Sequence, residues 1–321
     1  MPTAAAVPVV LDCDTGIDDA LAIVHLLTHP GADLVGVTTV TGNVGAAQAA
    51  RNSLGLLALA GHDDVPVFVG APASLDGSFV GGASRVHGED GVGGAALPEP
   101  SRAPEDEHAV EFLLRAARER PGELVVVATG PLTNVALAVA LDPSFATNVR
   151  QVVVMGGAVL APGNATPAAE ANIWHDPEAA DRVFAAGLPI TLVPLDATMR
   201  QTFSLADQEA LRGGGRVAAF LADALDQYFE FYRAVFGDAG LVALHDPLAA
   251  AIALDDATVV SEAVTTVRVE TGVGPARGST IADMRTFRRG DVRVPGATTR
   301  VVLDTRNDLA RRLVEAAHLL P

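Results

Sequence analysis

Residues 7–23, VPVVLDCDTGIDDALAI, join an apolar run to a helical pattern through a turn that carries four aspartates. The run Val7–Leu11 has the composition of a buried strand, and 18–27 has the apolar spacing of a helix. A strand followed at once by a helix is the unit of a parallel α/β sheet. The stretch therefore predicts an α/β fold. It also raises the question of why carboxylates that repel one another lie together at the end of a strand.

The same pairing of an apolar run with a helical pattern recurs along the chain. Strands are predicted at 34–40, 65–69, 124–128, 149–155, 190–194, 259–270, 279–284 and 299–303, and helices at 45–60, 133–141, 177–186, 217–236, 247–254 and 307–319. This alternation predicts a mostly parallel central sheet flanked by helices. No linker-like composition interrupts it, so residues 1–321 are predicted to form a single domain.

Composition narrows the possible partners. About half of the 321 residues are hydrophobic, and the net charge of -17 disfavours binding to nucleic acid polymers and to anionic membranes. The same charge suits cation binding. Cys13 is the only cysteine, which excludes an internal disulfide. Because the first residues do not resemble a signal peptide and no stretch approaches a membrane span, we expect a cytoplasmic protein.

The acidic cluster lies where an open parallel sheet binds its ligands, beyond the carboxyl ends of the strands. Asp18 and Asp19 can be explained as residues of a helix start, where the dipole favours anions. That explanation does not cover Asp14, which lies in the turn before Gly16. A bound divalent ion would relieve the repulsion among the carboxylates. Their oxygen ligands favour Ca²⁺ or Mg²⁺ over zinc, although the spacing does not fit an EF-hand loop.

A second interpretation of the turn is phosphoryl transfer. An apolar strand followed by Asp12-Cys13-Asp14 is similar to the start of the haloacid-dehalogenase-type phosphatases, in which the first aspartate is the nucleophile. Those enzymes usually continue with Gly-Thr or Gly-Val, whereas this chain continues with Thr15-Gly16. They also usually place a lysine against the phosphoryl group, and all 22 basic residues here are arginine. The phosphatase interpretation is therefore the weaker one.

Motifs along nearly the whole chain resemble the inosine–uridine-preferring nucleoside hydrolases, whose N-terminal pattern is Asp-x-Asp-Pro-Gly-x-Asp-Asp. Here Thr15 replaces the proline. The matching stretches, in the family's order, are 12–19, 41–43, 86–89, 129–134, 155–157, 163–164, 169–173 and 245–247. The resemblance implies a single α/β domain with a Rossmann-like core. It further implies hydrolysis of the N-glycosidic bond of purine or pyrimidine ribonucleosides to ribose and free base, one Ca²⁺ per subunit, and a homodimer or homotetramer.

The resemblance also assigns roles to individual residues. It implies that Asp14, Asp19, Asp246 and the backbone carbonyl of Thr129 bind the metal, and that Asp14 takes a proton from the attacking water. It implies that His245 donates a proton to the leaving base. The expected contacts with the substrate, mainly with the ribose, are Asp18, Asn43, Met155, Asn164, Glu170, Asn172 and Asp246, with His87 a weaker candidate for contact with the base.

Several of these residues have ordinary structural explanations. Asp246 precedes a proline and an apolar run, as a helix N-cap does, and the tripeptide His-Asp-Pro also occurs at 175–177. Asn164 and Asn172 are common types in turns, and His245 is equally well explained as a histidine that only supports the metal site. For Thr129 the alternative is an ordinary turn residue at a strand end.

Recognition of the base is the least defined part of the site. Ala171 stands where the resembling family usually has phenylalanine. Tyr228, Tyr232 and Phe236 share one helical face and offer aromatic surface, although such a stripe more often belongs to the core. Trp174 fits either location. The alternative function is a non-catalytic, calcium-dependent protein that binds nucleosides or sugars on the same scaffold.

Overall fold

The computed structural model describes residues 5–79, 81–285, 287 and 293–321. The elements of its first half are β1 (Val7–Cys13), α1 (Ile17–Thr28), β2 (Ala32–Thr39), α2 (Ala46–Ala60), β3 (Val67–Val69), α3 (Ser84–His87), α4 (Ala109–Glu119), β4 (Val125–Ala128), α5 (Thr133–Leu141), α6 (Phe145–Asn148) and β5 (Gln151–Met155). Those of its second half are α7 (Ala171–His175), α8 (Pro177–Ala185), β6 (Ile190–Val193), α9 (Leu195–Thr198), β7 (Thr202–Ser204), α10 (Leu205–Arg212), α11 (Arg216–Phe236), β8 (Leu241–Ala243), α12 (His245–Ala253), β9 (Val259–Thr265), β10 (Val267–Val269), β11 (Thr280–Ala282), β12 (Thr299–Thr305) and α13 (Leu309–Ala317).

The central sheet confirms the predicted fold class. Within the described residues it has eight strands in the order β3-β2-β1-β4-β5-β6-β12-β9. All neighbours run parallel except β9, which is antiparallel to β12. The strand order reverses between β1 and β4, and ligands bind at such a switch point in doubly wound sheets. The residues that follow β1 and β4 are therefore placed side by side at the carboxyl edge of the sheet.

Helices cover both faces of this sheet, which explains why its strands are apolar at nearly every position. On β1, Val9, Leu11 and Cys13 belong to the core that includes residues of α1, α11 and α12, whereas Val10 belongs to the core on the other face, which includes residues of α4 and α5. Both sets are fully buried. The apolar core on each side thus fixes β1, and with it the turn that carries the aspartates.

The structure differs from the predicted elements mainly near the second half of the chain. Helix α12 begins at His245 rather than at Pro247, so His245 and Asp246 belong to its first turn. The predicted strand 259–270 divides into β9 and β10, because β9 pairs with the central sheet and β10 pairs with β11. No helix was predicted for α4, although its apolar face is buried. In the described part of the chain, no helix is long and apolar enough to cross a membrane.

His25 lies at the far end of α1, where α1, α12 and α13 meet. Its Nε2 is 3.5 Å from Asp256 Oδ2, and Asp256 is itself bound by Arg312, with 2.6 Å between Nη1 and Oδ1. Burial lowers the pKa of His25 to about 4 in spite of the nearby carboxylate. Desolvation outweighs the attraction because Arg312 already offsets the charge of Asp256.

We expect His25 to make the fold sensitive to acid. The pKa of His25 is about 6.5 in the unfolded chain and about 4 in the folded one. The stability of the fold is therefore unaffected by this group above pH 6.5, and it decreases as the pH falls from 6.5 towards 4, by up to about 3 kcal/mol. The free energy of unfolding in urea should therefore drop less between pH 7 and pH 4 in His25→Gln than in the wild type. His62→Gln, a change at a half-exposed histidine, serves as the control. Equal drops in the wild type and in His25→Gln would contradict this account.

Candidate functional site at the carboxyl ends of the strands

A cavity of about 550 Å³ opens at the carboxyl edge of the sheet, large enough for a small organic ligand. Most residues that the sequence analysis selected line it: Asp18, Asn43, His87, Thr129, Met155, Asn164, Glu170, Asn172, His245 and Asp246. Asp14 and Asp19 do not line the cavity, but both carboxyls contact residues that do. The structure therefore brings the selected residues together, although they come from distant parts of the chain.

The aspartates form one buried cluster beside the cavity, which we call the carboxylate cluster: Asp14, Asp18, Asp19 and Asp246. Carboxylate oxygens of Asp18, Asp19 and Asp246 lie within 4.8 Å of one another, and the carboxyl of Asp14 adjoins that of Asp19. Burial raises the pKa of each of the four carboxyls, and the negative charge of neighbouring members raises the pKa of Asp14, Asp19 and Asp246 further. Four acids held this closely need positive charge to remain ionised together.

Backbone groups hold the cluster in place. Asp14 accepts hydrogen bonds from the backbone N–H of Asn43 at 2.7 Å and from its Nδ2 at 3.1 Å. Residue 42 has to be glycine, because a Cβ there would lie 1.8 Å from Oδ2 of Asp14. Asp19 accepts from the backbone N–H of Gly16 and from the hydroxyl of Thr129, each at 2.7 Å. The loops after β1, β2 and β4 thus converge on these two carboxylates.

The two His-Asp-Pro tripeptides have different roles in the structure. Asp176 is an N-cap, since its Oδ1 accepts a hydrogen bond from the backbone N–H of Ala179 at 3.0 Å. Asp246 makes no such cap: the N-cap position of α12 is Leu244, and no side chain caps it. The carboxyl of Asp246 instead lies against that of Asp18. The N-cap explanation of Asp246 is therefore wrong.

The chemistry of the cluster fits a hard divalent cation. Its donors are carboxylate oxygens, and the salt bridges of the described residues include no arginine at these four carboxyls. The carbonyl of Thr129 lies beside the cluster and accepts a hydrogen bond from Asn172 Nδ2 at 2.6 Å. A carbonyl oxygen has a second lone pair, so this bond is compatible with binding a metal as well.

Glu170 and Asn164, which precede α7, line the cavity and also accept hydrogen bonds from the backbone around it. Glu170 caps α7 by accepting from the backbone N–H of Asn172 at 2.9 Å, and it accepts from Gly157 at the same distance. Asn164 Oδ1 accepts from the backbone N–H of Ala171 at 2.9 Å. The turn-forming explanation of Asn164 is thus partly correct, and it does not conflict with a place in the cavity wall.

His87 is fixed in one tautomer by the start of α1. Its Nδ1 accepts a hydrogen bond from the backbone N–H of Ile17 at 3.1 Å, which leaves the proton of the neutral ring on Nε2. Burial lowers the pKa of His87 to about 4. The residue therefore presents a neutral ring to the cavity and also supports the helix that carries Asp18 and Asp19.

An aromatic wall from α11 forms the opposite part of the lining. The hydroxyl of Tyr232 is hydrogen-bonded to His245 Nε2 at 2.9 Å, and His245 Nδ1 is hydrogen-bonded to the hydroxyl of Thr198 at 2.8 Å. Tyr228 donates to Asp18 Oδ2 at 3.4 Å. The two tyrosines are buried, as a core stripe would be, yet they line the cavity together with Phe236. Trp174 does not line it.

The sequence analysis missed Thr198, which binds His245, and the apolar cavity-lining residues Met199, Phe231 and Val235. No local signal marks them, because Thr198 is 47 residues from the histidine it binds. Asp12 is placed apart from the cavity lining: its Oδ1 accepts hydrogen bonds from Thr38 at 2.7 Å and Asn134 at 2.8 Å. That location does not suit a nucleophile, and it counts against the phosphatase interpretation.

Comparison with known proteins points to one family. Residues 9–310 match the model of the family described as inosine-uridine preferring nucleoside hydrolase. The chain is 44% identical over 241 residues to the probable uridine nucleosidase 2 of Arabidopsis thaliana, with 74% of each chain covered. It is 40% identical over 305 residues to the pyrimidine-specific ribonucleoside hydrolase RihA of Salmonella arizonae, with 93% of this chain and 94% of the relative covered. The structure of a purine-preferring ribonucleoside hydrolase from Gardnerella vaginalis superposes with a TM-score of 0.88 at 35% identity, covering 97% of this chain and 99% of that one.

Proposed function

Because the chain belongs to the inosine-uridine preferring nucleoside hydrolases and is a hydrolase of N-glycosyl bonds, we propose that it cleaves free ribonucleosides, uridine among them, to ribose and base. We further propose Ca²⁺ as its cofactor and Asp14 as the base that activates water. The observation that carries the proposal is the carboxylate cluster. Its members come from residues 14–19 and from residue 246, and they meet beside one cavity.

Asp14, Asp19, Asp246 and the carbonyl of Thr129 would hold the cation, with Asp18 adjoining them. A bound Ca²⁺ would acidify a water molecule and take hydroxyl oxygens of the sugar as ligands. The ionised carboxylates in turn exclude anions from this part of the cavity. The neutral ribose of a nucleoside suits such a surface better than a phosphorylated sugar does.

Asp14 is the member of the cluster best suited to accept a proton. Its backbone is fixed by the end of β1, and Asn43 holds both of its carboxylate oxygens. Burial and the charge of Asp19 raise the pKa of Asp14, which strengthens it as a base. In the proposed reaction it takes a proton from water while the oxygen of that water attacks C1′ of the ribose.

The remaining carboxylates favour the transition state over the substrate. Cleavage of a glycosidic bond places positive charge on the sugar ring, as in an oxocarbenium ion. Asp18 and Glu170 line the cavity, are buried, and lie where water does not screen them fully. Their charge therefore attracts the developing cation more strongly than it attracts the neutral nucleoside.

The aromatic wall is the proposed site of the leaving base. Tyr232 and His245 form a hydrogen-bonded pair that lines the cavity, so the hydroxyl of Tyr232 can donate to a base that departs with negative charge while its oxygen accepts from Nε2 of His245. The apolar side chains of Phe231, Val235 and Phe236 offer a surface on which a planar heterocycle can pack. The names of the relatives include uridine, pyrimidine and purine, and both classes of base are part of the proposal.

The alternative, a non-catalytic binder on the same scaffold, requires the loss of a catalytic group. None is lost among the matched positions, since Asp14, Asp19, His245 and Asp246 are all present and lie together. The one departure that bears on the pocket is Ala171, which alters the shape of the wall rather than its chemistry. The catalytic proposal is therefore favoured.

We expect the purified protein to release ribose from both uridine and inosine, measured as reducing sugar, and to contain about one calcium ion per chain, measured on the same sample by atomic emission. Removal of the metal by a chelator should abolish ribose release, and Ca²⁺ should restore it. Uridine 5′-monophosphate serves as the control substrate and should be cleaved poorly. A metal-free protein with full activity would contradict the cofactor, and bound calcium without ribose release would support the binder instead.

The next proposals concern the domain organisation, the number of subunits and the location of the protein. We propose that the chain acts as one catalytic domain, since the cluster draws residues from both ends of the sequence. We also expect the protein to form a homodimer or a homotetramer and to be cytoplasmic. Light scattering on the purified protein measures the number of subunits.

A further inference from the structure

Thr198 is a fully buried residue behind the cavity wall, and the proposed function gives it no role. In the part of the chain that the structure describes, its hydroxyl has one hydrogen-bond partner, Nδ1 of His245, at 2.8 Å. The other ring nitrogen, Nε2, is 2.9 Å from the hydroxyl of Tyr232, which lines the cavity. Thr198 therefore reaches the site only through His245.

The backbone around Thr198 is fixed independently of the hydroxyl. Thr198 is the last residue of α9, and its N–H donates to the carbonyl of Pro194 at 3.1 Å. The carboxyl of Asp196 anchors α9, since it accepts a hydrogen bond from the backbone N–H of Leu160 at 2.7 Å. The next strand, β7, pairs with β8, which ends two residues before His245. Loss of the hydroxyl should therefore leave α9 and His245 in place.

The hydrogen bonds of a neutral His245 ring can run in two directions, and the Thr198 hydroxyl distinguishes between them. A neutral imidazole has one N–H and one acceptor nitrogen. If Nδ1 held the proton, the ring would donate to Thr198, and the buried hydroxyl would have no acceptor for its own hydrogen among the described residues. If Nε2 holds the proton, the hydroxyl donates to Nδ1 and both groups are satisfied. The second direction is favoured, because a buried donor without an acceptor is unfavourable.

The direction of these bonds decides whether Tyr232 can act as a donor in the cavity. With the proton on Nε2, the ring donates to the phenol oxygen of Tyr232, and the phenol hydrogen is left for a group in the cavity. With the proton on Nδ1, the phenol would direct its hydrogen to Nε2 instead. A base that departs with negative charge needs a hydrogen-bond donor, and only the first arrangement supplies one from this pair.

We propose that Thr198 is a positioning residue, which holds the proton of His245 on Nε2 and so keeps the hydroxyl of Tyr232 available to the leaving base. The inference rests on the proposed function, because that function assigns the base to the aromatic wall. Thr198 acts through His245 and is not part of the cavity lining. It also lies outside every stretch that the sequence analysis matched to the family, so no motif pointed to it.

The kinetic test compares inosine with a nitrophenyl riboside in the calcium-loaded enzyme. Thr198→Val replaces the hydroxyl with a methyl group of similar size and leaves Nδ1 without a partner. We expect kcat for inosine to fall by about tenfold, the effect of one buried hydrogen bond, and kcat for the nitrophenyl riboside to change by less than about twofold. Thr198→Ser keeps the hydroxyl and should restore most of the inosine activity. Thr191→Val, which removes a buried hydroxyl bonded to Gln151, is the matched control and should change neither value.

The second measurement is the position of the proton on the ring, which a purely structural role of Thr198 would not determine. In protein labelled with ¹⁵N at histidine, long-range ¹H–¹⁵N spectra show which ring nitrogen carries the proton, and the His245→Gln variant identifies the signals of His245. We expect the wild type near pH 7 to carry the proton on Nε2. In Thr198→Val the Nδ1 signal should shift, because this nitrogen loses its hydrogen bond.

Three results would overturn the inference. They are a wild-type His245 ring with its proton on Nδ1 or on both nitrogens, an unchanged ratio of the two kcat values in Thr198→Val, and a loss in Thr198→Ser as large as that in Thr198→Val. Thermal unfolding shows whether Thr198→Val is folded. If it is not, the position of the proton in the wild type alone decides. Failure of the proposed function is distinct from all of these, because the wild type would then release no ribose from inosine or from the nitrophenyl riboside.

Discussion

Asp14→Asn is expected to lower kcat for uridine by about 10²–10⁴-fold, the range for loss of a general base. The asparagine has nearly the same shape, but it cannot take a proton from water, and its Nδ2 would oppose the backbone N–H that now binds Asp14 from Asn43. It also removes one negative charge from the carboxylate cluster. The measurement is steady-state ribose release at saturating Ca²⁺, with circular dichroism to verify the fold.

Asp12→Asn is the matched control for this experiment. Asp12 lies near the end of β1, two residues before Asp14, and is equally buried, but its carboxyl binds Thr38 and Asn134 away from the cavity lining. Burial raises the pKa of Asp12 to about 6, and one of its oxygens has no partner among the described residues. An amide therefore fits there, and activity should stay within a few-fold of the wild type. Near-normal turnover in Asp14→Asn, or collapse in Asp12→Asn, would remove Asp14 as the base.

Much of the fold follows from the sequence because its strands are buried on both faces. Val125–Ala128 and Gln151–Met155 are short, β-branched and bounded by turns, and a pattern of this kind identifies a parallel strand without tertiary information. Helix α4 was not predicted, although its sequence is strongly amphipathic. The division between β9 and β10 was not predictable, since it depends on which sheet each strand joins.

The candidate site was predictable to the extent that its residues form local motifs. The turn after β1 predicts a cation site, because it contains several carboxylates within a few residues. Asp246 does not, because Asp-Pro before an apolar run has the same appearance whether it caps a helix, as at Asp176, or faces a cluster, as at Asp246. Only the fold separates the two. The tyrosines of α11 are a similar case, since they are at once buried and part of the cavity wall.

The second large effect is expected at the leaving base. His245 is bound through Nε2 to Tyr232 and through Nδ1 to Thr198, and burial lowers its pKa, so the resting ring is neutral and bridges two hydroxyls. The hydrogen-bonded series Thr198–His245–Tyr232 can donate a hydrogen bond toward a base that departs with negative charge. His245→Ala should lower kcat for inosine by about 10²-fold, since hypoxanthine leaves poorly without a donor. A nitrophenyl riboside, whose leaving group is stable as an anion, should lose only a few-fold.

Tyr228→Phe separates this role from a general disturbance of the wall. It removes a buried hydroxyl from the same helix face, but that hydroxyl binds Asp18 rather than His245. Any loss it causes should therefore be similar for inosine and for the nitrophenyl riboside, whereas Tyr232→Phe should follow the pattern of His245→Ala. The ratio of kcat values for the two substrates decides the matter in each variant. If His245→Ala slows both substrates equally, the histidine supports the cluster through its proximity to Asp18 and takes no part in the departure of the base.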